Sequence, residues 1–190
     1  MAIAKDFLFL SRLALDFAQT GDMGWGERYE RLTTPSELKR WLCLSPLGLS
    51  SIRVTRHDLA MARSLRGAIW RIAEAILAGT TPRASDVRQM NRLARKIGLV
   101  RQLDASAASM HWHHPSAPAA LTTIAQDAVA LFGDPSQRAR LRRCENPRCR
   151  VIFYDDSRPG SRRWCAPNRC GDRVRAQLYR QRQATVTRTR

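Results

Sequence analysis

Residues 144–149 read Cys-Glu-Asn-Pro-Arg-Cys, and residues 165–170 read Cys-Ala-Pro-Asn-Arg-Cys. Each cysteine pair encloses four residues, and fifteen residues separate the two pairs. A short pair can turn back on itself, and a linker of this length can form a hairpin that brings both pairs to one tetrahedral metal ion. The spacing therefore predicts one structural Zn²⁺ held by Cys144, Cys149, Cys165 and Cys170. A redox switch that uses the same thiols stays open as an alternative.

Zinc would also explain how this polar segment folds. Apolar residues are few after residue 137, and structural zinc can contribute roughly 10 kcal/mol or more to a small module. Four protein thiolates leave no open position for water or substrate, which argues against zinc hydrolysis. No glycine-rich phosphate loop, nucleophile elbow or paired-carboxylate motif is evident, so we expect a protein that is not an enzyme.

Positive charge is concentrated around the cysteines. The formal net charge is +17 and the pI is near 11.3. Residues 138–190 contain 16 arginines, no lysine and 4 acidic residues, a balance of +12, which leaves +5 for residues 1–137. A segment with this balance favours a polyanionic partner such as DNA.

The arginines that we expect to contact DNA lie on a loop before the second cysteine pair and on a helix predicted at 171–183. Arginine suits bidentate contacts to phosphate and guanine better than lysine does. The predicted contact residues are Arg158, Arg162, Arg163, Arg173, Arg175, Arg180 and Arg182. The competing interpretation is a solvated surface on an arginine-rich protein, because the whole chain contains only three lysines.

Residues 1–137 have the pattern of a helical domain. Thr34-Pro-Ser-Glu37 and Thr55-Arg-His-Asp58 are typical of helix starts with capping boxes, and the apolar residues after them recur at helical spacing. Strict alternation around residues 99–112 indicates a hairpin. The helices are predicted at 34–43, 58–78, 85–97 and 117–132. Gly133-Asp-Pro135 and the change in charge place the domain boundary near residue 137.

The predicted fold class is therefore mainly α with a small β-hairpin. A helical domain at 1–137 is followed at 138–190 by a treble-clef-like four-cysteine zinc module with a basic C-terminal helix. Lys5 and Asp6 interrupt the apolar start before it takes signal-peptide form, and no apolar stretch approaches the ~18 residues of a membrane span. We expect a cytoplasmic protein without a membrane partner.

Other residues are weaker candidates for a site. Asp16, Gln19, Thr20 and Asn91 are polar residues in apolar contexts, and they could line a small-molecule pocket or simply satisfy backbone groups. His111, His113 and His114 lie together on the predicted hairpin but lack a matching carboxylate or cysteine. Cys43 and Ile97 are expected in or near the core, on their respective helices.

Several motifs resemble a known family. The C-terminal part resembles the CGNR zinc finger in its Cys-x4-Cys spacing, in Phe153-x-Asp155-x-Ser157-Arg158 and in residues 162–165 and 170–173. Upstream, the chain resembles the ABATE domain at residues 15–20, 38–42, 65–66 and 90–93. This domain precedes that finger in stress-induced bacterial transcription regulators. The resemblance covers nearly the whole chain, although Asp172 stands where the finger's name has asparagine and Gln19 where asparagine is common.

The resemblance implies a zinc-containing DNA-binding protein that regulates transcription in a bacterial stress response. The helical domain would then act as a sensor of a small-molecule effector or as an assembly platform, for example in a homodimer. The alternative is a protein-interaction or redox-sensing zinc module that docks an acidic partner without binding DNA. Asp172 would repel phosphate, which speaks against a direct DNA contact at that position.

Overall fold

The computed structural model describes residues 7–10, 12–21 and 30–188; the side chains of residues 178, 182 and 184–188 lie outside that description. The described helices are α1 (Leu13–Ala18), α2 (Pro35–Leu44), α3 (Arg56–Leu77), α4 (Ala84–Ala94), α5 (Ala117–Gly133), α6 (Pro135–Arg138) and α7 (Asp172–Arg188). Two antiparallel hairpins pair β1 (Val100–Leu103) with β2 (Met110–His113) and β3 (Leu141–Arg143) with β4 (Ile152–Tyr154). This architecture confirms the predicted fold class. None of the described helices is long and apolar enough to cross a membrane.

The two predicted capping boxes are present at the starts of α2 and α3. Thr34 Oγ1 accepts from Glu37 N at 3.3 Å, and the Glu37 carboxylate accepts from Thr34 N at 2.9 Å. Thr55 and Asp58 make the same reciprocal pair at 3.1 and 2.8 Å. Such pairs satisfy backbone N–H groups that the first helical turn leaves unbonded. Gly79, with a φ of +66°, follows the end of α3 in the left-handed conformation that glycine adopts easily.

Helix α4 ends three residues earlier than predicted, and Ile97 lies outside it. The Ile97 side chain is 83% exposed, so its predicted place in the core is wrong. The reason is a contact from α5: Gln126 Nε2 donates to the carbonyl oxygens of Ala94 and Lys96 at 3.2 and 3.1 Å. These bonds satisfy carbonyls at the C-terminal end of α4 and let the chain turn away toward β1.

The main core lies between α1, α2, α3 and α5. Its largest fully buried side chains are Phe17, Leu32, Leu38, Trp41, Leu42, Leu65, Ile69, Leu121, Ile124 and Leu131. Trp41 meets Phe17 edge to face, with ring centroids 5.0 Å apart. Cys43, in contrast, is exposed, so its predicted place near the core is wrong. Successive residues on a helix point about 100° apart, and the buried stripe of α2 leaves Cys43 on the solvent side.

The cysteine-rich module packs directly on the helical domain. Leu141 and Ile152, from the β3–β4 hairpin, belong to the main core, and Arg143 pairs with Glu74 on α3. In the other direction, Leu8 and Leu10 pack against the zinc-site cluster, a smaller group of buried residues that contains three of the four zinc-site cysteines. Its members are Cys144, Val151, Phe153, Cys165 and Cys170. The two parts of the chain therefore share apolar contacts in both directions.

Candidate metal centre and basic surface

The four cysteine sulfurs converge on one point. All four Sγ atoms lie within 4.8 Å of one another. Cys165 Sγ is 3.8 Å from Cys149 Sγ and 3.6 Å from Cys170 Sγ. Zinc–sulfur bonds of ~2.3 Å in a tetrahedron would place the sulfurs about 3.8 Å apart. The donor set thus fits one structural zinc ion.

The electrostatics of the thiols also favour a bound cation. Hydrogen bonding with the thiols of Cys149 and Cys165 lowers the pKa of Cys144 to about 2. The same contact with Cys144 raises the pKa of Cys149 to about 12, and contacts with Cys144 and Cys149 raise the pKa of Cys165 as well. Thiolates this close repel one another, so a divalent ion at their centre is needed for all four cysteines to be deprotonated together.

Two tight turns deliver the cysteine pairs. In the first, Cys149 N donates to the carbonyl of Asn146 at 2.8 Å, and Cys144 N donates to Val151 O at 3.0 Å. In the second, the N–H groups of Arg169, Cys170 and Gly171 all point at the carbonyl of Ala166 within a single π turn, Pro167–Gly171. These turns bend the backbone so that both cysteines of each pair face the centre.

A buried carboxylate holds the loop between the hairpin and the second turn. Asp155 is fully buried and accepts from Ser157 N and Oγ at 3.0 and 2.6 Å and from Arg162 N at 2.8 Å. Burial opposes its ionisation, but these hydrogen bonds outweigh burial and lower the pKa of Asp155. Arg140 clamps the same loop, because its Nη1 donates to the carbonyls of Asp155 and Ser157, both at 2.9 Å.

Arg162 has a structural role in this loop. Its guanidinium donates to the Tyr154 carbonyl at 2.7 Å and to Asp156 at 2.8 Å, and it stacks over the Phe153 ring at 4.8 Å. The side chain is 19% exposed. These contacts hold most of the guanidinium within the loop, and a DNA contact by Arg162 stays a prediction.

Five of the other predicted contact residues lie on the protein surface. Arg158, Arg163, Arg173, Arg175 and Arg180 are all exposed. Arg163 donates to Glu145 at 2.6 Å, yet its side chain remains 62% exposed. Helix α7 includes Arg182, but its side chain lies outside the described residues.

Trp164 organises part of this basic surface. The guanidinium carbons of Arg163 and Arg175 lie over this ring, 5.0 and 5.9 Å from its centroid. Gly171 allows this arrangement, because a Cβ there would lie 3.3 Å from the Trp164 ring and 3.2 Å from Arg175 Nη1. Asp172 forms an exposed ion pair with Arg175 one turn later on α7. The acidic residue at the family's asparagine position therefore binds a neighbouring arginine.

The structure places the four polar residues considered for a pocket in different surroundings. Asp16 is buried and accepts from Leu10 N at 2.9 Å, and Thr20 Oγ1 donates to the carbonyl of Phe17 at 2.7 Å. Gln19 is buried as well, and its amide has no hydrogen-bond partner among the described residues. Asn91 is exposed on α4 and lines a surface groove that none of the other three lines.

The three hairpin histidines do not form a metal cluster in the described part of the chain. His113 and His114 contact each other edge to face, with ring centroids 4.2 Å apart. Within the described ranges, the one group of three or more metal-ligating side chains is that of the four cysteines.

Two supports of the metal centre were not predicted from the sequence. Asp155 belongs to a motif quoted there without a role, although an Asp-x-Ser pattern is typical of a side-chain-stabilised turn. Leu8 and Leu10 lie more than 130 positions before Cys144, the first residue of the cluster that they contact. The signal was there in the run of apolar residues 7–10, but nothing local indicates its distant partner.

Comparison with known proteins agrees with this geometry. The family model named ABATE, described as "Putative stress-induced transcription regulator", matches residues 11–135. The model of the CGNR zinc finger matches residues 140–183, which include all four cysteines. A search of curated proteins finds no match. Because the first model alone spans more than half of the chain, this protein belongs to the ABATE family and carries a CGNR zinc finger with one structural zinc site.

Proposed function

We propose that this protein is a cytoplasmic transcription regulator that binds duplex DNA through the basic surface of its zinc finger. In this proposal the helical domain senses an effector or mediates assembly. The zinc ion is structural, and no catalytic role is included, because four protein thiolates leave no open coordination position.

One observation supports the proposal most directly: the exposed arginines lie on two segments next to the four-cysteine centre. The loop with Arg158 and Arg163 is fixed by the buried Asp155, and α7 with Arg173 and Arg180 begins directly after the second cysteine turn. Exposed positive charge on a rigid scaffold is what phosphate contacts require. The membership of a regulator family supports the same conclusion.

Fluorescence anisotropy with a labelled duplex tests the proposal over a range of salt concentrations. If the five exposed arginines contact phosphates, log K should fall with log salt at a slope of about −4 to −5. Arg173→Ala should reduce that slope by about 1 if the residue contacts phosphate alone, and loss of discrimination between sequences would mark it as a base reader. Arg56→Ala, which removes an exposed arginine of the helical domain, is the matched control.

The competing function is docking of an acidic protein without DNA binding. It would be supported if the zinc-loaded protein bound duplex DNA no better than a scrambled peptide of equal charge at physiological salt. That result would refute the proposed function.

A further inference from the structure

A groove crosses the helical domain beside the point where the chain enters the zinc finger. Its first part has a volume of about 630 Å³ and lies between the ends of α3 and α5, the middle of α4, and α6. The floor is apolar, with Ile72, Ile76, Met90 and Phe132. Arg138 and Ala139, which directly precede the segment matched by the CGNR model, also line this part. Clefts of this size with mostly apolar walls are typical of small-molecule sites.

The second part of the groove is basic. It has a volume of about 600 Å³, is lined by Arg88, Arg92 and Arg95, and shares Asn91 and Val129 with the first part. The two parts therefore adjoin, and arginines line both of them, Arg138 in the first and Arg88, Arg92 and Arg95 in the second. No acidic residue lines either part among the described residues.

Local structure does not account for this arginine pattern. The dipole of α4 favours positive charge in its last turn, which explains Arg92 and Arg95 but not Arg88 in the middle of the helix. The acidic residue of α4, Asp86, is buried and held by Arg71 on α3 at 2.6 and 2.9 Å. It is therefore already paired and does not neutralise the groove arginines.

We infer that this groove binds an amphipathic anion, a small molecule with an apolar body and a carboxylate or similar acidic head. The apolar floor would bury the apolar body of the ligand, and arginines lining the groove would pair with its acidic head. A neutral or cationic molecule of the same shape would lack the ion pair with the arginines.

The position of the groove links it to the finger. Arg140, two residues after Arg138, donates to the carbonyls of Asp155 and Ser157 in the loop that carries Arg158 and Arg163. A ligand that displaced Arg138 and Ala139 would also move Arg140 and the loop that it holds. Occupancy of the groove would therefore change DNA affinity. That consequence rests on the proposed function, whereas binding of the anion does not.

Isothermal titration of the full-length, zinc-loaded protein with octanoate, octanol and octylammonium tests the inference, because these probes share one chain and differ in head group. We expect octanoate to bind at least about tenfold more tightly than the other two, since it alone of the three probes can form a charge-assisted contact with the arginines. Equal binding of octylammonium, or no binding of octanoate up to millimolar concentration, would overturn the inference.

Two variants locate the site. Val129→Glu places a negative charge where the two parts meet and should weaken octanoate binding more than tenfold; because Val129 is 36% exposed, the variant should fold. Arg138→Ala should weaken octanoate but not octanol. Arg56→Ala is the control, since it lies about 24 Å along α3 from Ile72. Unchanged octanoate affinity in both groove variants would place the anion elsewhere and refute the inference.

The DNA titration distinguishes this failure from failure of the proposed function. If Arg138→Ala and Arg92→Ala weakened duplex binding while octanoate affinity stayed unchanged, the groove arginines would belong to a DNA surface and the inference would be wrong. If octanoate bound as expected but the protein bound no DNA, the anion site in the groove would be supported and the proposed DNA-binding function would be refuted.

Discussion

Replacing Asp155 by asparagine should loosen the zinc finger without touching a zinc ligand. The carboxylate is fully buried and accepts three hydrogen bonds, two from Ser157 and one from Arg162 N. An asparagine must turn its NH₂ group toward a donor, which leaves at least one buried N–H unsatisfied at a cost of about 1–3 kcal/mol. Loss of charge on the remaining bonds adds about 1 kcal/mol, because charge-assisted bonds are roughly twice as strong as neutral ones. We expect a total loss of about 2–4 kcal/mol.

The assay is the rate of zinc release to a chromophoric chelator, with tryptophan fluorescence in guanidinium as an independent readout. If release passes through opening of the finger, Asp155→Asn should accelerate it between about thirtyfold and several hundredfold, since each 1.36 kcal/mol is a factor of ten. Asp156→Asn is the matched control: it removes the same charge at the adjacent position, but the Asp156 side chain is 53% exposed and forms an ion pair with Arg162. It should cost less than about 1 kcal/mol.

The pH dependence of this difference has a definite sign. The folded pKa of Asp155 is lowered below its ordinary value. The stabilisation by the carboxylate is therefore complete above the unfolded pKa of about 3.9 and is lost only as the pH falls through the folded pKa. The difference between wild type and Asp155→Asn should be constant from about pH 6 to 8. Equal release rates for Asp155→Asn and Asp156→Asn would refute the reasoning.

Other substitutions test other contacts. Leu10→Ala should cost about 1–2 kcal/mol and speed zinc release, because this half-buried side chain packs on the zinc-site cluster; an unchanged release rate would contradict that contact. Gly171→Ala should retain zinc but shift the tryptophan emission, since the new Cβ would lie 3.2 Å from Arg175 Nη1 and must displace that side chain. Asp172→Asn should raise duplex affinity about two- to fivefold by releasing Arg175 from its ion pair; weaker binding would show that the acid assists DNA contact. Cys43→Ser should still bind one zinc by elemental analysis, because Cys43 is exposed on α2.

Local patterns predicted the parts of this fold whose causes are local. The Thr34 and Thr55 capping boxes marked two helix starts, because a cap and its partner lie three residues apart. The cysteine spacing predicted the convergence of four thiols, since each short pair forms its own turn. Alternation predicted the β1–β2 hairpin in the same way.

Features set by distant partners were missed or misplaced. The end of α4 depends on Gln126, 32 residues from the carbonyl of Ala94 that it satisfies, so helical periodicity alone extended the helix to Ile97. The finger takes apolar contacts from Leu8 and Leu10, which no count of its own apolar residues could reveal. Arg162 was predicted as a DNA contact from its charge, and its contacts with a ring, a carbonyl and a carboxylate were not evident in the sequence.

The most direct test of DNA binding by the zinc finger compares zinc-loaded and chelator-stripped protein in the same duplex titration at several salt concentrations. We expect the zinc-loaded protein to bind with a slope of log K against log salt of about −4 to −5. Removal of zinc should sharply weaken binding, because the turns that position the arginines would no longer be held, and re-addition of zinc should restore it. If the stripped protein bound the duplex with the same affinity and the same slope, the zinc-organised surface would not be the DNA-binding site.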